Sequence, residues 1–383
     1  MVKDPQIIEA VLDLAVQIQQ IPAPTFEEGQ RAGFILQQFF HLGITESFMD
    51  DVGNVYARIK GKGENPPVVV SAHLDTVFPA GTDLSITRTD ERIAGPGIGD
   101  NSVGLAALFG LAMVFRAQDQ VPSAIPSLGG DLWLVANVSE EGLGNLTGMK
   151  AVVDRFGRDA LAYLILEGMS LGQIYHRGLG VKRYRIHVHT PGGHSWVDYG
   201  SPSAIHHLAD LVVKIKAIPL PVEPRTSLNV GVISGGTSVN TIAADANLLL
   251  DLRSVSPRVL VNVSNQVEEL VHLADLRGGE EVKVEAVVIG SRPAGEIPSD
   301  HPLVQLGIAC SAVHGQKIKL NIGSTDTNEP LSRGLPAICI GLTSGRGAHT
   351  LSEYIDTKPL ERGLWILSDL VQAVFEKGRI ALG

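Results

Sequence analysis

Val68-Val69-Val70-Ser71-Ala72-His73-Leu74-Asp75-Thr76-Val77 is an apolar run that breaks off at a histidine and, two residues on, a carboxylate. The β-branched start and the length of the run predict a buried strand over Val68–Ala72. His73 and Asp75 then fall at its carboxyl end, the edge of an open α/β sheet where ligands bind. The reading gains force only if other strands end in the same way.

Working outward, strands are expected at Leu132–Val138 and Leu161–Leu166, with a helix from Val103 to Arg116 between the first two. Strand and helix in alternation predict an α/β fold whose mostly parallel sheet is flanked by helices. Upstream, Asp4 can cap a first helix and Pro5 suits its first turn. Ile7, Ile8, Val11, Leu12, Ala15 and Ile18 supply its helical spacing. Thr25 and Glu28 read as a capping box for a second helix ending near Gly43.

The texture changes near Gly178. A strand at Tyr184–His189, a helix at Ser203–Ile215, strands at Leu228–Ile233 and Ala246–Leu252, a helix at Arg258–Leu273 and a strand at Glu281–Ile289 follow in turn. This βαββαβ order is that of a ferredoxin-like α+β unit. A strand at Ala337–Leu342 and a closing helix from Leu360 to Lys377 then resume the α/β pattern. The predicted organisation is a catalytic domain over 1–177 and 291–383, interrupted by an inserted domain over 178–290.

A chain of 383 residues accommodates two domains. Its 31 basic and 41 acidic side chains give a formal charge of −10, which speaks against a nucleic-acid partner. No segment reads as a bilayer span and no basic-then-apolar leader opens the chain, so no membrane partner and a cytoplasmic location are expected. Cys310 and Cys339, set in apolar surroundings, are expected to be buried free thiols.

Chemistry-bearing residues recur at the predicted strand ends. Asp100 lies in the glycine-rich turn Gly95-Pro-Gly-Ile-Gly-Asp-Asn101, Glu140-Glu141 follow the strand Leu132–Val138, Glu167 closes Tyr163-Leu-Ile-Leu166, and His349 follows the strand Ala337–Leu342. Alone, each has an ordinary reading: a satisfied core histidine, a helix cap, a solvated loop. Together they place charge against a core, which is costly unless it is paired or metal-bound. Two histidines and three carboxylates suit two divalent cations, zinc first, with cobalt or manganese as alternatives. Three carboxylates against two doubly charged ions leave about one positive charge, which a bridging hydroxide would neutralise.

The order His-x-Asp, Gly-x-x-Asp-Asn, Glu-Glu, Leu-Glu and a late His resembles the dinuclear zinc metallopeptidase and amidohydrolase family of glutamate carboxypeptidase, succinyl-diaminopimelate desuccinylase, aminoacylase and peptidase T. Supporting stretches are His73-Leu-Asp-Thr-Val-Phe-Pro79, Pro191-Gly-Gly-His-Ser195 and Gly323-Ser-Thr-Asp326. The resemblance implies that His73 and Glu167 hold one metal and Glu141 and His349 the other, with Asp100 bridging and its bond to Asn101 in the cis form. It implies that Asp75 steadies the His73 ring and that Glu140 is the general base.

From the inserted domain, the resemblance makes His194 an oxyanion donor to a neighbouring subunit's site. It makes Asn240 and Arg253 substrate-binding, with Arg253 a fork for a carboxylate. A homodimer through the inserted domain follows. The implied reaction is hydrolysis of the amide bond in short peptides with a free carboxylate, by a two-metal-activated hydroxide. The alternative is deacylation of N-acyl amino acids, of the acetylornithine deacetylase or desuccinylase type.

Two departures from the family pattern are visible. Ser102-Val103 stand where many relatives carry a lysine, and Gly323-Ser324 replace a glycine pair. Rival readings are a zinc aminopeptidase with the same ligands but no inserted domain, and a binding protein that kept the fold without the activity.

Overall fold

The computed structural model describes residues 5–120 and 127–382. Two compact units emerge: Met1–Gly178 with Glu296–Gly383, and Leu179–Gly295. The second unit runs beyond the expected limit at 290, because its last strand, Lys283–Arg292, stays paired with Gly180–His189 out to Arg292.

In the first unit, the strands run in the order Ser47–Met49, Val55–Ile59, Gly130–Asn137, Asn65–His73, Ala162–Glu167, Ala337–Gly341, Gln173–Gly178. The central four are mutually parallel. Val68–His73, Ala162–Leu166 and Ala337–Gly341 are buried without interruption, as strands covered on both faces must be. After Asn65–His73, the chain places its next strand on one side (Gly130–Asn137) and the following one on the other (Ala162–Glu167). The direction of travel therefore reverses around His73, and the carboxyl ends there open a crevice.

The helix Val103–Gln120 packs against that sheet and also against the helices Pro5–Gln19 and Pro359–Leu382. From Val103 to Phe115 it is buried on nearly every side and carries no charged residue. Contrary to the expectation from sequence, the stretch Ile98–Arg116 is long and apolar enough to cross a membrane; 89% of it is buried inside the protein, which makes it a core helix. Asp4, the expected cap of the first helix, lies outside the described residues.

The second helix runs Gly29–His41, but the capping box is absent. Glu28 has helical backbone angles and no side-chain cap, and both Thr25 and Glu28 are turned to other partners.

The second unit is a four-stranded antiparallel sheet in the order Thr226–Gly235, Asp245–Ser254, Gly180–His189, Lys283–Arg292. The helices Ala204–Lys216 and Pro257–Gly278 pack on it in the βαββαβ order. Its core is separate, built from alternate strand residues such as Tyr184, Ile186, Leu248 and Leu250. The two cysteines are free and buried.

Candidate metal centre

The parallel strands deliver the predicted residues to one edge. His73 is the last residue of its strand and is buried; Glu167 ends the neighbouring strand. Glu140 and Glu141 follow Gly130–Asn137, and His349 comes from the loop after Ala337–Gly341. Asp100 sits between them. Its Oδ1 is 3.0 Å from His73 Nε2 and its Oδ2 is 3.2 Å from His349 Nε2. His349 Nε2 is also 3.1 Å from Glu141 Oε1.

Three donor triads converge within 4.8 Å: His73, Asp100 and Glu167; Asp100, Glu141 and His349; and His73, Glu140 and Glu141. Asp100 belongs to the first two. The peptide bond from Asp100 to Asn101 is cis, as the resemblance implies.

Burial, and then the charge of Asp100, push the Glu167 carboxyl up to about 8. Burial also opposes ionisation of Asp100, yet hydrogen bonds from His349 and His73 hold it well below the ordinary carboxylate range. Hydrogen bonds to Asp100 and Glu141 raise His349 to about 10. His73 is pushed down by burial, but its bonds to Asp100 and Asp75 outweigh this and hold it well above the usual histidine range. The carboxylates thus concentrate negative charge around both imidazoles, a demand for positive charge. Imidazole and carboxylate donors around such a demand fit divalent cations.

His73 Nδ1 faces the backbone carbonyl of Asp75 at 3.0 Å. A carbonyl only accepts, so Nδ1 carries a hydrogen, and Nε2, 3.0 Å from Asp100 Oδ1, is the nitrogen that would ligate a cation. This refines the expected role of Asp75: its carboxylate is the more distant partner of the ring, at 3.5 Å. Its short bonds go elsewhere. Oδ1 accepts the backbone N–H of Glu140 at 2.9 Å, and Oδ2 accepts the N–H of Glu141 and the hydroxyl of Thr25, each at 2.8 Å.

Several positioning residues escaped the sequence reading. Glu28, buried, accepts the backbone N–H of Ser139 at 3.0 Å. Ser139 (φ 60°) and His349 (φ 65°) both adopt the left-handed conformation, uncommon outside glycine and asparagine and characteristic of functional turns. The buried guanidinium of Arg31 donates to the carbonyls of Ile21 and Leu74.

Asn101 donates to the carbonyl of Leu166 at 2.7 Å and accepts the N–H of Gly168 at 3.2 Å, gripping the backbone on both sides of Glu167. Gly168 permits this approach, since a Cβ there would lie 2.1 Å from the carbonyl oxygen of Gly99. The buried Ser102 hydroxyl closes the loop on the carbonyl of Gly97 at 2.7 Å. One signal was available: polar residues such as Thr25, Glu28 and Asn101 stand beside apolar runs, but local capping chemistry explains them equally well.

The remaining predicted residues lie in the second unit. His194 and Asn240 are neighbours there, because Gly193–His194 pairs with Thr241–Ile242 and Ser195 donates to the Asn240 carbonyl. His194 Nδ1 accepts the backbone N–H groups of Trp196 and Val197, so its hydrogen belongs on Nε2. Arg253 is not with them. It stands eight residues along the strand from Asp245, about 27 Å at strand rise, with Nε on Asp251 Oδ2 at 2.7 Å.

A parallel-sheet edge with two imidazoles, a shared carboxylate and three further glutamates defines a metal-dependent hydrolase. The chain belongs to Peptidase family M20/M25/M40, which residues 69–373 match. It is 27% identical over 349 residues to a succinyl-diaminopimelate desuccinylase of Corynebacterium glutamicum, spanning 89% of this chain and 90% of that protein. Among solved structures it is similar to a tripeptidase from Staphylococcus aureus, with a TM-score of 0.78 at 20% identity over 96% of this chain and 99% of the other. It is also similar to a dinuclear metal-binding peptidase of Bacillus subtilis, with a TM-score of 0.67 at 16% identity over 97% and 99%.

Proposed function

We propose that this hydrolase cleaves the amide bond of short peptides bearing a free carboxylate, with two divalent ions, zinc foremost, held at the strand ends. The observation that carries the proposal is Asp100, whose two oxygens each face a different imidazole, at 3.0 and 3.2 Å. In this reading His73 and Glu167 complete one ion's ligands, Glu141 and His349 the other's, and Asp100 is common to both. When bound, such ions supply Lewis acidity and lower the pKa of water.

The chain's own residues do the rest. Glu140, with its backbone pinned by Asp75, takes a proton from the attacking water and passes it to the leaving amine. His194 offers Nε2–H to the developing oxyanion. Arg253, oriented through Nε by Asp251, presents its terminal nitrogens to the substrate carboxylate, and Asn240 binds the substrate near His194.

The separation of Arg253 from His194 and Asn240 supports a homodimer in which each active site draws on both inserted domains. The strand Thr226–Gly235 is at the sheet edge with Val232 and Ile233 exposed, and Trp196, Val197 and Tyr199 beside His194 are bare. Such edges and patches ask for a partner. We place the protein in the cytoplasm, a reading supported by its two free thiols.

The desuccinylase relative favours a second reading, N-acyl amino acid deacylation, in which only the acyl side of the same bond differs. The deciding experiment is a metal-reconstituted screen of di- and tripeptides against N-acyl amino acids, ranked by kcat/KM. Peptides leading the ranking support the first reading, and acyl amino acids leading it support the second. No turnover of either class by protein carrying two ions overturns both.

A further inference from the structure

Glu353 has no place in the mechanism above, yet it is completely buried beside the metal-ligand loops. Its carboxylate accepts three backbone N–H groups of the turn that carries Asp100: Gly97 at 3.1 Å on Oε2, Gly99 at 2.7 Å and Asp100 itself at 2.9 Å on Oε1. Its own carbonyl accepts a fourth, from Gly95, at 2.9 Å. A buried carboxylate is tolerated only when donors satisfy it, and here the donors all come from one ligand-bearing turn.

Glu353 is at the same time four residues after His349, and its N–H returns to the carbonyl of Thr350 at 3.2 Å. It opens the strand Tyr354–Asp356, which pairs on one side with Arg92–Ala94, leading into the Asp100 turn. On the other side it pairs with Gly345–Arg346, leading into the His349 loop. A single side chain therefore stands where the backbone of both loops is fixed. His349 is the most exposed member of the cluster, with 53% of its side chain open, so packing does little to hold it.

We propose that Glu353 is a positioning residue that sets the register between Asp100 and His349 and preorganises the second ion's site before any metal arrives. This rests on the two-metal reading. The first ion would share Asp100 but keep His73 and Glu167, which are fixed by strand ends. The second would depend on Glu141, Asp100 and His349; Glu353 accepts the backbone N–H of Asp100 and follows His349 by four residues in the same loop. Groups of this kind, one bond removed from the ligands, govern metal affinity by about 10- to 100-fold.

The test is a cobalt(II) titration of metal-free full-length wild type and Glu353→Gln, followed by visible absorption. The amide keeps the shape but turns an N–H₂ toward one of the three N–H donors. Wild type should take up two cobalt ions. The variant should bind the second ion about 10- to 100-fold more weakly and the first, which keeps His73 and Glu167, weakened by a smaller factor, with an altered spectrum. Glu353→Asp, which keeps the charge on a shorter arm, should recover part of that loss.

If the variant takes up two ions with wild-type affinity and spectrum, the proposal alone falls. If wild type takes up none, the two-metal reading falls and the proposal with it. Should the variants not fold, amide hydrogen exchange on the metal-free wild type decides. Gly97, Gly99 and Asp100 should exchange at least about 100-fold slower than unprotected amides, and free exchange there overturns preorganisation.

Discussion

Asp75 receives the backbone N–H of Glu140 at 2.9 Å on one carboxylate oxygen, while the other oxygen receives the N–H of Glu141. The first strand of the site thus fixes the backbone of the base and of a ligand that arrive on a different strand. Asp75→Asn keeps one acceptor oxygen and loses the other. One N–H is then buried without a partner, which should lower stability by about 1–3 kcal/mol. The displaced turn should lower kcat by about 10- to 100-fold. Thermal unfolding and steady-state kinetics on metal-loaded protein read both effects, and wild-type kcat in a folded variant would refute the role.

Glu28 gives a second test, because its sequence context suggests a helix cap while the structure gives it to Ser139. Glu28→Ala leaves the N–H of Ser139, next to the proposed base, without its acceptor. The expected result is a loss of about 1–3 kcal/mol in stability together with a fall in kcat larger than any change in KM. A cap, by contrast, would move stability alone. Unchanged kcat in the folded variant would return Glu28 to the capping role.

Close approach of two ligand loops predicts a steric effect at Gly168. A methyl group there would sit 2.1 Å from the carbonyl oxygen of Gly99, one residue before Asp100. Gly168→Ala should force Glu167 and Asp100 apart, destabilise the protein by about 1–3 kcal/mol and weaken the first ion. Metal analysis after dialysis at limiting zinc is the measurement. Retention of two ions with wild-type affinity would show that the loops have room to yield.

The sheet and all the strand-end residues were legible because buried parallel strands write continuous apolar runs, and a charged residue ending such a run stands out. The βαββαβ unit was legible from its order of short segments. The buried grip on the ligand loops was not. Glu28, Asn101 and Glu353 act across 65 to 256 positions, and on backbone groups, which carry no sequence signature. Thr25 and Glu28 were read as a local motif because their spacing satisfies one, whereas a buried amide on a distant turn exerted the stronger demand. The helix beginning at Val103 was placed correctly, but its stretch Ile98–Arg116 was not seen to be long and apolar enough for a membrane span, because burial inside a protein yields the same composition.

His194 and Arg253 lie far apart within one inserted domain, separated by most of the length of the strand Asp245–Ser254. If both serve one substrate, they must come from different chains. His194→Ala lacks the oxyanion donor but keeps Glu140; Glu140→Ala lacks the base but keeps His194. Each homodimer should be nearly inactive. Unfolding is unnecessary for the test if subunits exchange; otherwise the two variants are co-expressed with different tags. A mixed dimer contains one site with both groups intact and one with neither, so activity should return to about half that of wild type at full heterodimer formation. Light scattering should report a dimer throughout. Purified heterodimer with no recovered activity would mean that each site is completed within its own chain, and the shared-site arrangement would have to be abandoned.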